Sequence, residues 1–413
     1  VLRELGQLEE AISSYRVALA INPYYAKALC NLGICLNDQG KLDEAVAIYN
    51  KALAINPYYA ETYSNLGVAL QAQGNLDEAM ASYNKGFLLI HGGPWLNAVT
   101  YKDNGKSDDW PKSRAMFTSK LKLQESIDQF DYLIAKGRID SSFKRIIEGY
   151  RVVLTEILLR EDAEGATALT HRQLERIGSS YNRAVYCPEA PRIEAGAINK
   201  ALNFEQIENH YLSSSVLVTT LDDFLKPDAL SRLREFCLES TIFFDFSSNH
   251  FVGSTISRGF NCDLLSQITE EIKCCFPRVL GDHHLTNMWV YRYNNQSKGV
   301  AAHTDEGAVT FNLWITPNDA NLDADSGGLI VFTKDQPYDW DWEFYNQMKD
   351  TPKVDKEITN FLADADTITI PHRENRATLF NSNLFHKSDQ IFFREGYENR
   401  RMNITFLFGK RES

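Results

Sequence analysis

Three regimes of hydrophobic patterning divide the 413-residue chain. The front repeats itself. Gly6, Gly40 and Gly74 recur every 34 residues, as do Ala11, Ala45 and Ala79, and Tyr15, Tyr49 and Tyr83; the phrase Ile21–Ala26 returns at Ile55–Ala60. Small residues at such a period let two antiparallel helices approach closely, and Pro23 and Pro57 fit the turn that opens the next unit. From His91 to Pro111, Gly, Pro and polar residues break the pattern and predict a linker. Ser119–Ile139 and Ser141–Glu161 then carry apolar residues at helical spacing, which predicts a helical connector from Pro111 to about Tyr181. A coiled-coil dimer is the alternative there, on a short and irregular seam. The segment through Leu202 is uninformative.

Beyond it the runs become β-rich. Asn287–Asp305 reads as a strand, a turn around Gly299 and a short extended piece; Ala308–Pro317 is a strand, and Gly327-Gly328 precede another. Thr367–His386 reads as a strand, a polar turn and a strand ending near His386. In Arg401–Phe408, period-two alternation separates Arg401, Asn403 and Thr405 from Met402, Ile404, Phe406 and Phe408. The apolar set is expected under covering helices and the polar set in a cavity.

His303 and Asp305 lie two apart on an extended segment, so their side chains leave the same face and can converge on one ion. A third ligand must come from a distant strand lying beside the first, and His386 is the candidate. Two imidazoles and a carboxylate on one face of a metal suit Fe(II), while Mn²⁺, Co²⁺ and Ni²⁺ accept the same donors.

Two resemblances follow. The 34-residue period resembles the tetratricopeptide repeat, whose units stack into a solenoid with a concave surface. Val1 falls inside a repeat, which implies further chain ahead of it. The order of strands around His303, Asp305 and His386, with the leading strand and helix of Val216–Cys237, resembles the double-stranded β-helix of 2-oxoglutarate-dependent Fe(II) dioxygenases over roughly the last 200 residues. The implied fold class is multidomain: an all-α solenoid (1–90), a linker and helical connector (91–206), and a jelly-roll, cupin-like β-helix with supporting helices (207–413).

The second resemblance implies Fe(II) on His303, Asp305 and His386, with 2-oxoglutarate and dioxygen as cosubstrates and no separate general base. It also implies an Arg on the strand after the distal His, because a guanidinium fork pairs with a carboxylate. Arg401 fits, with Asn403 in place of the usual Ser. The stretch between His386 and Arg401 is longer than the family pattern, which leaves Arg394 and Arg400 open; a solvated position is the preferred reading of Arg400. Tyr291 and Tyr293 share a strand face, and either donates to the cosubstrate or serves as a core tyrosine. The implied activity is hydroxylation of a polypeptide side chain held by the repeats. A non-catalytic adaptor with a relic jelly roll and a hydroxylase of a small metabolite are the alternatives; Leu313–Phe332 has some likeness to phytanoyl-CoA-type relatives. A chain beginning near Pro111 is expected to keep the metal and cosubstrate sites.

Composition narrows this little. A net charge of −12 disfavours phosphate-backbone binding and hence a nucleic-acid partner, and no apolar run reaches membrane-span length. Seven cysteines without a Cys-x-x-Cys pair favour a reducing, cytoplasmic setting. The insert 334–366 mixes acids with Tyr338, Trp340, Trp342, Phe344 and Tyr345, which suits either a lid or a sheet cover. His171, His210, His250, His283, His284 and His372 lack convincing ligand spacing.

Overall fold

The computed structural model describes residues 3, 6–92, 116–160, 165–247, 250–337, 340 and 352–411. Tyr338, Trp342, Phe344 and Tyr345 of the aromatic insert lie outside them. The front is five helices, α1 (Leu8–Ile21), α2 (Ala26–Asp38), α3 (Leu42–Ile55), α4 (Ala60–Ala72) and α5 (Leu76–His91), packed in antiparallel succession. Two features explain the 34-residue period. A Cβ on Gly33 would lie 2.5 Å from the Tyr49 ring, and one on Gly67 equally 2.5 Å from Tyr83, so each repeat seats a tyrosine of its second helix on a bare glycine of its first. Gly40 and Gly74 then take φ of +73° and +84° at the turn between the two helices, a conformation that L side chains resist.

The repeats do not stand apart. Ala79, Met80, Tyr83 and Phe87 of α5 belong to the same buried cluster as Val290, Phe311, Ile404 and Phe406 of the sheet. Tyr83 donates to Gln71 (2.7 Å), and Gln71 donates to the Leu285 carbonyl (2.9 Å). A cut near Pro111 would therefore remove an apolar face from the main core.

The connector holds β1 (Phe117–Thr118), α6 (Lys120–Ala135), α7 (Lys144–Leu158), β2 (Thr167–Ala168) and α8 (His171–Ile177), with a core of its own around Phe130, Ile147, Tyr150 and Tyr181. Ser119 caps α6 by accepting from the Lys122 amide, and Thr170 with Gln173 forms a capping box on α8. The remainder adds α9 (Phe204–Ser213), β3 (Val218–Leu221), α10 (Pro227–Glu239), β4 (Asp245–Ser247), β5 (Phe251–Thr255), α11 (Asp263–Cys275), α12 (Pro277–Leu280), β6 (Leu285–Tyr293), β7 (Gln296–Ser297), β8 (Val309–Trp314), β9 (Leu329–Asp335), α13 (Pro352–Phe361), β10 (Thr367–Ile370), β11 (Ala377–Asn381), β12 (Leu384–Ser388), β13 (Ile391–Phe392) and β14 (Met402–Phe408).

A seven-stranded antiparallel sheet runs β3-β11-β8-β14-β6-β5-β4, beside a three-stranded sheet β10-β9-β12 and the pair β13-β7. These are open sheets, not one closed barrel. Met288, Val290, Arg292, Ile404 and Phe406 point to the helix-covered side, which leaves Trp289, Tyr291, Asn403 and Thr405 on the opposite face. The predicted single strand at Ala377–His386 is two, because the chain crosses at Ser382 from the large sheet to the small one.

One buried ion network joins α6 to the sheet. Arg292 and Arg400 both donate to Glu125, Arg400 also donates to Asp128 (2.5 Å), and Tyr397 lies against both guanidinium groups. Arg400 is thus neither solvated nor near the cavity; its alternation with Arg401 turns it to the helix side.

Candidate metal centre and anion pocket

His303 and His386 pair as an antiparallel bridge, each amide donating to the other's carbonyl (3.0 and 2.9 Å). That bridge is the local reason the two imidazoles meet, with ring centroids 4.4 Å apart. His303 Nε2 lies 3.8 Å from Asp305 Oδ1, and His386 Nε2 lies 3.4 Å from Asp305 Oδ2. One ligand atom from each residue falls within 4.8 Å of the others, in the only such group of three or more among the described residues.

The opposite edge of each ring is fixed. His303 Nδ1 is 2.8 Å from the Ala301 carbonyl and His386 Nδ1 is 3.1 Å from the Leu384 carbonyl. A carbonyl cannot donate, so Nδ1 is protonated in both rings, and each ring in its neutral form presents the Nε2 lone pair toward Asp305. Asp305 is 5% exposed and has no lysine or arginine beside it among the described residues. A buried carboxylate facing two imidazole lone pairs is an arrangement a divalent cation would satisfy.

The three residues open onto a cavity of about 1690 Å³ that also takes in Tyr291, Tyr293, Arg401 and Asn403. Arg401 is 2% exposed and forms no ion pair among the described residues. Its Nε donates to the Gly327 carbonyl (2.5 Å), Nη2 to the Gly328 carbonyl (3.0 Å) and Nη1 to Asn403 Oδ1 (3.3 Å). A guanidinium has five N–H donors; Tyr293 takes a further side-chain hydrogen bond from it, which leaves one. The Gly pair explains the two carbonyls: Gly327 has φ +79°, and a Cβ on Gly328 would strike the Ile370 carbonyl at 1.8 Å. Burial lowers the Arg401 pKa, which the charge interaction and side-chain hydrogen bond with Tyr293 partly offset; the Tyr293 ring lies 4.5 Å from the guanidinium carbon.

Tyr291 and Tyr293 part company here. Tyr293 lies against Arg401, whereas the Tyr291 ring lies over Gly253 and 4.2 Å from Phe251, with Trp289 at 6.1 Å. Burial raises the Tyr291 pKa. Arg394 pairs with Asp319 on the exposed surface, away from the cavity. His372 is a core histidine, held by the Thr316 carbonyl (3.0 Å) and pushed down to about 3 by burial and by Arg401. Trp340 packs on Phe361 and Phe385, covering the outer face of the small sheet.

Asn312 and Thr310 escaped the sequence reading, whereas Thr405 was placed on the cavity side by its alternation. Thr405 donates to Asn312 (2.6 Å), continuing a polar floor from Arg401 through Asn403. Thr310, one pleat along from Asn312, donates to Asp305 Oδ2 (2.7 Å). Thr310 and Asn312 are the polar members of an otherwise apolar run, and that alternation was the available signal.

The Tetratricopeptide repeat family profile matches residues 1–57 and 24–87. The chain therefore carries tetratricopeptide repeats in front of a large antiparallel sheet region. Among solved structures, the first tetratricopeptide domain of Spaghetti (RPAP3) bound to the HSP90 peptide SRMEEVD is 28% identical, over 21% of this chain and 70% of that one, with a TM-score of 0.21. MamA is also 28% identical, over 21% of this chain and 52% of its own, with a TM-score of 0.21. The non-heme alpha ketoglutarate dependent epimerase SnoN from nogalamycin biosynthesis is 13% identical, over 50% of this chain and 83% of its own, with a TM-score of 0.38. No curated protein matches. Among the described residues, no helix is long and apolar enough to cross a membrane.

Proposed function

We propose that this chain is an Fe(II)- and 2-oxoglutarate-dependent oxygenase, a hydroxylase built on a jelly-roll-type pair of sheets, with a polypeptide side chain as substrate. The observation that carries the reading is the pairing of two groups in one cavity: a buried His303–Asp305–His386 cluster and a buried Arg401 that forms no ion pair among the described residues. The site needs a cation at one end and an anion at the other, which a metal chelated by a dicarboxylate supplies together.

His303 and His386 would hold the metal through Nε2 and Asp305 through a carboxylate oxygen. Arg401 would bind the distal carboxylate, with Asn403 beside it and the Tyr293 ring shielding the guanidinium from water. Bound Fe(II), 2-oxoglutarate and dioxygen supply the oxidising chemistry, in which decarboxylation to succinate accompanies insertion of one oxygen atom into a substrate C–H bond. The polar floor Asn403–Thr405–Asn312 keeps the route between the two ends hydrogen-bonding, and the wall of Trp289, Tyr291 and Phe251 gives the cavity an apolar side. No side chain need act as a general base. The solenoid supports a polypeptide substrate, since stacked repeats expose an extended surface suited to a chain.

Succinate release from 2-oxoglutarate is the test. The intact protein with Fe(II) is expected to produce succinate, and His303→Ala, Asp305→Ala and His386→Ala are each expected to abolish it while the circular dichroism spectrum stays unchanged. Wild-type turnover in all three variants would sink the assignment, and absence of turnover with or without Fe(II) would favour the adaptor reading.

A further inference from the structure

We infer that Thr310 and Ser382 are positioning residues that fix the Asp305 carboxylate as a one-oxygen ligand and lock it to the hairpin carrying His386. This inference rests on the metal reading above. Thr310 has a single hydroxyl proton, and it goes to Asp305 Oδ2 (2.7 Å). The second contact of Thr310 Oγ1, to Ser382 Oγ at 2.8 Å, must then be donated by the serine. The order is Ser382 to Thr310 to Asp305. Both hydroxyl residues are 0% exposed, so water cannot replace either donor.

Backbone contacts close the loop. The Asp305 amide donates to the Ser382 carbonyl (3.1 Å), and the Ser382 amide donates to the Ala308 carbonyl (3.1 Å). Ser382 sits where the chain leaves β11 for β12, four residues before His386. The residue that backs Thr310 and accepts from the Asp305 amide therefore lies just ahead of the strand that delivers the distal imidazole. A hydrogen-bonded Oδ2 is the weaker donor to a cation, which leaves Oδ1, the oxygen facing His303, as the ligand. Without the relay the carboxylate could turn and offer both oxygens, taking a coordination position that the cosubstrate needs.

The test uses the full chain and Co²⁺ under anaerobic conditions, read by the visible d–d absorption and by the dissociation constant, with no turnover involved. Thr310→Val keeps the shape and removes the hydroxyl. It is expected to weaken Co²⁺ binding by about 10–100-fold and to change the absorption bands, while the metal-free protein keeps its melting temperature to within a few degrees. Thr310→Ser should restore both affinity and spectrum. Ser382→Ala should weaken binding less, because Thr310 still reaches Asp305, and it takes over the test if Thr310→Val fails to fold. Wild-type affinity and spectrum in Thr310→Val, or in Ser382→Ala where that stands in, would overturn the relay and leave the metal reading standing. A wild-type protein that binds no Co²⁺ or Fe²⁺ would overturn both.

Discussion

At the scale of single residues, three arginines close together in sequence do three different jobs. Arg401 faces the cavity, Arg400 turns to α6 and Arg394 lies on the surface. The division follows from the pleat: neighbours on a strand leave opposite faces, so Arg400 and Arg401 cannot share an environment. Arg401→Ala is expected to weaken 2-oxoglutarate binding by on the order of 2–5 kcal/mol, the cost of leaving a buried carboxylate unpaired. It should leave metal affinity nearly unchanged. Arg394→Ala, at an exposed pair, should alter neither. Calorimetric titration of the metal-loaded protein checks this, and a crippled Arg394→Ala beside a normal Arg401→Ala would reassign the anion site.

At the scale of elements, α6 is tied to the sheet by charges rather than by apolar packing alone. Glu125 answers two buried guanidinium groups, Arg292 and Arg400. Burial alone would raise its pKa, but the charges of Arg400 and Arg292 outweigh that and hold it below the usual glutamate range. A depressed folded-state pKa contributes stability that is present above the unfolded value of about 4.3 and is lost as pH falls through the folded one. Glu125→Gln should cost about 3–5 kcal/mol near neutral pH, because it leaves buried Arg292 without a carboxylate and takes one of two from Arg400. Urea unfolding of wild type and variant should show the gap narrowing only below about pH 4. A gap that narrows between pH 7 and 5 would contradict the network. The connector's helices were legible from period alone, and Glu125 was not: a carboxylate in an amphipathic helix reads as a solvated face until the sheet is beside it.

At the scale of the whole molecule, the last repeat belongs to two units at once. Removing residues 1–59 leaves α4 and α5 in place and should give a folded protein with wild-type Co²⁺ affinity. Removing residues 1–110 takes Met80, Tyr83 and Phe87 out of the core, and should give insoluble or molten protein. Equal melting temperatures for the two truncations would show that the shared core matters little. His91, at the end of α5, donates from Nδ1 to the Asn182 carbonyl (2.9 Å), packs on Phe244 (4.6 Å) and is pushed down to about 4, first by burial. Its proton is taken up by the unfolded chain at about pH 6.5 and by the folded one only near 4. Stability should therefore fall as pH drops from 6.5 towards 4, with His372 adding to the same slope. His91→Gln should flatten the melting-temperature profile over that window, and an unchanged profile would count against this source.

What the sequence determined by itself was local and periodic. A repeat spacing of 34 residues, alternation along Arg401–Phe408 and the two-residue gap from His303 to Asp305 each set a face or a turn within one stretch of chain. That was enough for the repeats and for nominating the metal ligands. Only the tertiary structure brought His386 onto His303 and set Ser382 and Thr310 behind Asp305. It alone turned the Gly327 and Gly328 carbonyls onto Arg401 and merged α5 with the sheet core. Each of these joins residues far apart in the chain. Their partners are chosen by strand register and by which buried polar atoms remain unsatisfied, and neither exists until the strands are side by side.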